Sequence, residues 1–346
     1  MPEPLLEVRD LVKHFPLPRT LLDAALRRPQ ETVRAVDGVS FRLGRGKTLG
    51  LVGESGCGKS TLGRCILRLY EADEGEVRFG GVDLMRLDER ELVPFRTRMQ
   101  VVFQDPYASL NPRQAVGHTL LEVLDVHEIG APGERRERMA HLLTQVGLSP
   151  GDAHKYPGEF SGGQRQRIGI ARALAVEPEL LIADEPLSAL DVSIQAQILQ
   201  LLLDLRTSLG LTMLFISHDL RVVRYLCDEV AVMYLGRIVE RAPTEDLFAN
   251  PQHPYTIALL SAVPEVWSRP RDEIPIEGEP PSAMRIPRGC RFHPRCPWKV
   301  ERCLAESPAL ERVRPDHEVA CHVATARPAA GLPEAPAARP ETAPEG

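Results

Sequence analysis

A glycine-rich segment that follows an apolar run constrains the fold of this chain more than any other feature. The segment, residues 53–61, reads GESGCGKST and comes directly after the apolar residues 48–52. Its glycines let the backbone curl so that several N–H groups converge, and a helix is expected to begin at Lys59. Convergent N–H groups at the N-terminus of a helix bind phosphate. The pattern GxxxxGK[ST] in this setting therefore predicts a phosphate-binding loop within an α/β fold.

The residues of this loop have separate expected roles around a magnesium nucleotide. Lys59 is expected to reach the β- and γ-phosphates, and the hydroxyl of Ser60 to bind Mg²⁺. The alternative, a glycine-rich turn without a ligand, does not explain why both flanking segments fit as well. The predicted nucleotide-binding set is Gly53, Glu54, Ser55, Gly56, Cys57, Gly58, Lys59, Ser60 and Thr61.

An acidic pair follows a second apolar run. Residues 180–183 are apolar and predict a buried parallel strand, which ends at Asp184 and Glu185. Asp184 is placed to join the ligands of Mg²⁺, and Glu185 to orient or deprotonate a water molecule. A carboxylate pair at a strand end is by itself more often simply solvated. It is the phosphate loop in the same chain that favours a catalytic role.

Two further motifs carry a family resemblance. The first is FSGGQRQR, residues 160–167, and the second is SALD, residues 188–191. With the phosphate loop they resemble the ATP-binding-cassette ATPases, whose SGGQ lies at a helix N-terminus and contacts the γ-phosphate held by the opposite subunit. The resemblance implies a P-loop NTPase cassette, with a RecA-like core, an antiparallel β subdomain and a helical subdomain. It implies that Asp191 lies in the dimer interface. It also implies that the partner's ATP is contacted by Ser161, Gly162, Gly163 and Gln164.

The same resemblance implies roles for three more side chains. Gln104, in VVFQDP, matches the glutamine that contacts Mg²⁺ and water and couples the cassette to its membrane partner. His218, in LFISHDL, matches the histidine that contacts the γ-phosphate, although a lone histidine at a strand end is otherwise a capping or solvated residue. The implied catalytic set is Glu185, His218 and Gln104, and the implied Mg²⁺ ligands are Ser60, Gln104 and Asp184.

Phe15, in LVKHFP, is the candidate for stacking on adenine, since the family places an aromatic residue on an early strand. It lies further upstream of Lys59 than is usual, and residues 17–32 resemble an insertion that explains the offset. This insertion is mildly amphipathic and basic, so a short surface helix is the preferred interpretation.

Four segments indicate a more specific group within this family: residues 104–112, 189–197, 250–256 and 289–321. These are similar to the ATPases of oligopeptide and dipeptide importers, and the similarity covers residues 5–323. In that family two different ATPase subunits pair beneath two permease subunits, and an extracytoplasmic protein delivers the peptide. The expected function is ATP hydrolysis that powers di- or oligopeptide import at the cytoplasmic face of the membrane. The insertion resembles the second ATPase subunit type.

Other functions remain as alternatives. Importers of nickel or another small solute have closely related ATPases. Soluble ATPases of similar design act in DNA maintenance, on ribosomes or in cluster assembly. The first contain a long coiled coil, the second contain two cassettes, and the third lack the C-terminal extension. A non-hydrolysing adaptor has no support, since Glu185 and His218 are both present.

Composition and pattern suggest how the chain is divided. The predicted units are a cassette at 1–250 with a helical subdomain at about 91–175, a C-terminal domain at 251–323 and a disordered Pro/Ala tail at 324–346. The 42 basic and 48 acidic residues give no signature of nucleic-acid binding. Residues 1–10 lack the apolar core expected of a signal peptide, and no apolar run of about 18 residues occurs, so membrane association is expected only through partners.

Four of the seven cysteines lie close together in the C-terminal region: Cys290, Cys296, Cys303 and Cys321. Reducing compartments disfavour disulfides, so such a group suggests a site for a soft metal, either zinc or an iron–sulfur cluster. The C-x₂-C pairs usual for zinc are missing. The importer resemblance implies a 4Fe-4S cluster of structural role, with zinc, unligated thiols or redox-paired thiols as alternatives.

Overall fold

The computed structural model describes residues 3–19, 30–105, 110–262, 278–279 and 281–326. Its strands are β1 (Leu6–Pro16), β2 (Thr32–Leu43), β3 (Thr48–Val52), β4 (Glu74–Phe79), β5 (Val82–Asp83), β6 (Met99–Val102), β7 (Leu180–Asp184), β8 (Thr212–Ile216), β9 (Glu229–Tyr234), β10 (Arg237–Pro243), β11 (Glu311–Arg314) and β12 (His317–Val319). Its α-helices are α1 (Lys59–Ile66), α2 (Glu89–Arg98), α3 (Val116–Val126), α4 (Arg135–Gln145), α5 (Gly162–Leu174), α6 (Val192–Leu209), α7 (Leu220–Leu226), α8 (Thr244–Ala249), α9 (Pro254–Ser261), α10 (Glu301–Ala305) and α11 (His322–Thr325).

The larger sheet forms the centre of the molecule, with the strand order β11-β12-β10-β9-β3-β8-β7-β6. The strands from β9 to β6 pair in parallel, whereas β9, β10, β12 and β11 pair antiparallel. Every residue of β3, β7 and β8 is buried, which matches their predominantly apolar sequences. Helices must cover both faces of such a sheet, as the alternation of strands and helices predicts.

The smaller sheet, of order β2-β1-β4-β5, is antiparallel. Its buried residues share one apolar core with α1 and β3; Val36, Phe79 and Leu62 belong to this core. The ladder between β1 and β2 continues to the pair Pro16 and Thr32. The predicted insertion therefore connects the paired ends of β1 and β2. The surface helix predicted for it falls largely on residues 20–29, outside the described residues.

The helices of the predicted helical subdomain pack around a second core. Leu120 of α3, Leu143 of α4 and Ile168 of α5 are fully buried there. One element in the predicted range of 91–175 is different, because β6 is a strand that pairs with β7 in the larger sheet. Four residues are too short for a clear periodicity, so neighbouring helical patterns obscured this strand.

The C-terminal region joins the larger sheet through the pairing of β12 with β10. Glu240 of β10 is fully buried, and its carboxylate accepts hydrogen bonds from the backbone N–H groups of Gln252 and His253 at 2.6 and 2.9 Å. His317 of β12 lies 2.8 Å from the same carboxylate through Nε2. These contacts bind the C-terminal hairpin to the cassette, because a buried carboxylate needs partners. Helix α11 crosses the predicted start of the tail, and residues 327–346 lie outside the described residues.

Within the described ranges, each helix is too short or too polar to cross a membrane.

Candidate nucleotide site

The predicted phosphate loop connects β3 to α1, which begins at Lys59 as the sequence indicates. Gly53 and Gly58 have φ angles of 151° and 109°, in the region that favours glycine. A Cβ atom on Gly53 would collide with the carbonyl oxygen of Met233, and one on Gly58 with that of Ala35. The loop thus passes so close to neighbouring backbone that other residues cannot replace these two glycines without movement.

Lys59 and Ser60 occupy the start of α1. The buried Lys59 donates from Nζ to the carbonyl oxygens of Gly53 and Glu54, at 2.8 and 3.1 Å. Ser60 donates from Oγ to Asp184 Oδ1 at 2.6 Å. Burial raises the pKa of Asp184, although its hydrogen bond with Ser60 lowers it. A hydroxyl and a carboxylate are oxygen ligands of the kind Mg²⁺ prefers, so the donor set fits that ion.

The predicted catalytic side chains meet at one edge of the sheet. Gln104 follows β6, Glu185 follows β7 and His218 follows β8, and these strands are parallel neighbours. Oε2 of Glu185 lies 3.3 Å from Nε2 of Gln104 and 3.2 Å from Nδ1 of His218. Glu185 has a φ of 48°, an uncommon conformation for a glutamate that functional sites often retain. Three motifs distant in sequence thus form one cluster beside Asp184.

The SGGQ motif forms the N-terminus of α5. Ser161 is the N-cap and accepts from the Gln164 N–H at 3.3 Å, while Oε1 of Gln164 accepts from the Ser161 N–H at 2.9 Å. This capping box fixes the start of the helix. Both residues are exposed, whereas Gly163 is buried and a Cβ there would collide with Cγ2 of Ile194 in α6. The exposed polar groups leave this helix end open to a second molecule.

Asp191 lies at the N-cap of α6, also exposed, and the next residue, Val192, is 81% exposed. An apolar side chain so exposed beside the predicted interface residue is compatible with burial by a partner. The described chain is a single copy, so the interface role of Asp191 stays a prediction.

Phe15 lies near the end of β1, opposite Val33 of β2. Its ring contacts Tyr70 edge to face at a centroid distance of 5.5 Å, and Nζ of Lys13 lies 5.3 Å from its centroid. The ring is half-buried. Its stacking on adenine stays a prediction.

Sequence reasoning missed two residues that contact the phosphate loop from the C-terminal region. Arg295 forms two hydrogen bonds of 3.0 Å to the carboxylate of Glu54. The hydroxyl of Tyr255 accepts from the backbone N–H of Glu54 at 2.8 Å. More than 200 residues separate each pair in sequence, so no local pattern could have revealed these contacts.

The four C-terminal cysteines are free thiols, three of them buried and Cys296 half-buried. Burial is the main cause that raises the pKa of Cys296 to about 12 and that of Cys321 to about 11, and neighbouring cysteines of the group contribute to both values. The four thiols are therefore near one another. In the part of the chain that the structure describes, no three His, Cys, Asp or Glu residues are arranged to hold a metal ion. The cysteines as positioned do not fit a single bound ion such as zinc.

Comparison with known proteins extends these observations. Residues 36–188 match the family described as ABC transporter, and residues 239–303 match the oligopeptide/dipeptide transporter C-terminal region. A putative peptide import ATP-binding protein of Brucella ovis is 52% identical over 319 residues, covering 92% of this chain and 97% of that protein. The oligopeptide transport ATP-binding protein AppF of Bacillus subtilis is 51% identical over 325 residues, covering 93% and 98%.

Solved structures show the same fold. The dimeric, post-hydrolysis ATP-binding cassette MJ0796 bound to ADP and Pi is 29% identical, with a TM-score of 0.61, covering 69% of this chain and 98% of that one. Subunit cbiO1 of Clostridium perfringens, part of the transporter complex cbiONQ, is 26% identical, with a TM-score of 0.59, covering 71% and 91%. The fold class predicted from the sequence is confirmed.

Proposed function

The chain belongs to the ABC transporter family, and on that basis we propose that it is the ATP-hydrolysing subunit of an importer for di- or oligopeptides. As a member of this family it is an ATPase. The observation that carries the peptide assignment is the match of residues 239–303 to the oligopeptide/dipeptide C-terminal region. The likeness to peptide import proteins also extends over 92% of the chain.

The proposed chemistry uses the residues at the sheet edge. Glu185 orients the attacking water and accepts its proton, and Gln104 and His218 hold the Glu185 carboxylate in position. Lys59 and the loop N–H groups bind the phosphates. Ser60 and Asp184 are the residues that would hold Mg²⁺, with Gln104 as a further ligand, and this ion would supply charge neutralisation at the phosphates.

The proposed assembly contains two ATPase subunits, two permeases and an extracytoplasmic binding protein, at the cytoplasmic face of the membrane. The exposed residues of the SGGQ motif in one subunit contact the ATP of the other, and Asp191 lies in the interface. The second ATPase is a different chain. Within this chain the proposed units are the cassette at 1–250, its helical part at about 91–175, the C-terminal domain at 251–323 and the tail.

For the cysteine group we propose a 4Fe-4S cluster, supported by the proximity of the four thiols. Iron and sulfide are measured in anaerobically purified protein, with Cys65→Ser, a buried core cysteine, as the control for Cys296→Ser. Loss of iron only in Cys296→Ser supports the cluster. Zinc, or no metal at all, in the unsubstituted protein overturns it.

The experiment for the transport assignment is a pull-down of tagged Glu185→Gln with ATP from detergent-solubilised native membranes. Recovery of two multi-spanning proteins and a second ATPase supports the importer, and recovery of soluble proteins alone overturns it. Lys59→Met, which removes the phosphate-binding amine, is the control for ATP-dependent recovery.

Cargo is tested by uptake of labelled di- and oligopeptides and of nickel in cells that carry only Glu185→Gln. Loss of peptide uptake with nickel uptake retained supports peptide import. The opposite result assigns the transporter to nickel.

A further inference from the structure

The phosphate loop contains a carboxylate whose charge opposes its ligand. Glu54 is the second residue of the loop, directly after Gly53. A nucleotide brings several negative charges to the loop, and like charges repel strongly where water is partly excluded. The charge of Glu54 must therefore be compensated if the loop is to bind phosphate well.

The structure shows how that compensation is made. Arg295 binds the carboxylate of Glu54 with both terminal guanidinium nitrogens, in the two-pronged geometry that suits an arginine and a carboxylate. The Arg295 side chain is only 7% exposed. Its guanidinium carbon lies 6.0 Å from the ring centroids of Tyr234 and Phe292, and Nη1 lies 3.4 Å from the Tyr234 hydroxyl. Packing and pairing together fix this cation beside the loop.

The polar groups of Glu54 contact both the phosphate loop and the C-terminal region. Its carbonyl oxygen accepts from Lys59, the residue expected to bind phosphate. Its N–H donates to Tyr255, and its carboxylate binds Arg295, so both contact the C-terminal region. The C-terminal region thus holds Glu54 through two independent contacts, one to its backbone N–H and one to its carboxylate.

We propose that Arg295 is a positioning residue of the nucleotide site. It neutralises Glu54 and keeps its carboxylate turned toward the C-terminal region, so this region sets the affinity of the loop for nucleotide. Arg295 contacts no reacting atom in this proposal; it acts through Glu54. The proposal rests on ATP binding by the loop and is independent of the transported cargo.

The test is the affinity of the full-length chain for MgADP, which is not hydrolysed, measured by calorimetry. Arg295→Met should weaken binding about tenfold, because the uncompensated Glu54 then repels the phosphates, a loss equivalent to ~1.4 kcal/mol. Glu54→Gln combined with Arg295→Met should restore affinity to within about threefold of the unsubstituted chain, since the repelling charge is gone. Arg295→Lys keeps the charge and should lose less affinity than Arg295→Met.

Arg302→Met is the matched control, because Arg302 lies in the same region but pairs with Glu306, the C-cap of its own helix, at 2.7 Å. Its affinity should equal that of the unsubstituted chain. A double variant that binds as weakly as Arg295→Met would overturn the proposal, because only a structural role of Arg295 would then remain. Unchanged affinity in Arg295→Met would overturn it as well. Thermal unfolding of each variant shows whether affinity and stability change separately.

Discussion

At the scale of single residues, the site depends on how one carboxylate is held. Glu185 has an uncommon backbone conformation, and its Oε2 atom lies near both Gln104 and His218. An amide and an imidazole can both donate to the carboxylate, which limits its rotation. Glu185 is thus a fixed carboxylate beside Ser60 and Asp184, the proposed Mg²⁺ ligands. This position suits the activation of water better than the binding of phosphate.

Glu185→Gln is therefore expected to separate binding from hydrolysis. The amide keeps the shape of the side chain but cannot accept the proton of water, so kcat should fall by about a hundredfold or more. ATP affinity should stay unchanged, and ATP should hold the variant and its partner ATPase together as a stable dimer on size-exclusion chromatography. Glu137→Gln, on the exposed face of α4, is the control. Full turnover in Glu185→Gln would exclude the assigned role.

At the scale of elements, the sequence predicts the functional residues at strand ends but not the contacts made by residues distant in sequence. The acidic pair that contains Glu185 was predicted from the apolar run before it, whereas Gln104 and His218 were assigned through the family resemblance. Parallel strands bring all three residues to one edge of the sheet. The four residues of β6 were not predicted as a strand, because they lie in a range with mostly helical patterns. Arg295 was not predictable, because its contact with Glu54 forms only after the whole sheet is assembled.

The contact between α5 and α6 gives an element-scale prediction. Gly163→Ala should destabilise the protein by about 1–3 kcal/mol, because its methyl group must displace the branched side chain of Ile194. Gly162→Ala is the matched control, since a Cβ there meets Leu190 at an ordinary 3.5 Å. Urea unfolding measures both.

The double variant Gly163→Ala with Ile194→Ala should be more stable than the sum of the two single effects predicts, because space removed at one residue is returned at the other. Strict additivity would show that the two residues do not compete for that space.

At the scale of the whole molecule, the C-terminal region is joined to the cassette by buried polar groups. Glu240 of the sheet accepts from the N–H of His253, and His253 in turn caps α9 by accepting from the N–H of Tyr255 at 3.0 Å. His253 is 1% exposed. Tyr255 continues the connection to Glu54 in the phosphate loop. The stability of this buried junction and the geometry of the nucleotide site are therefore linked.

Acid should weaken this junction. Burial lowers the pKa of His253 from its ordinary 6.5 to about 3, although a hydrogen bond with Ala320 raises it. Between these two values the unfolded chain binds a proton that the folded chain does not, so stability is fully present above about pH 6.5 and falls as the pH decreases. From pH 7 to pH 5 the loss attributable to His253 should be about 2 kcal/mol. His253→Asn, which can still cap α9, should lose correspondingly less over this range in urea unfolding, whereas His141→Asn, at an exposed position, should behave as the unsubstituted protein. An equal loss in His253→Asn would mean that another group governs the acid response of the protein.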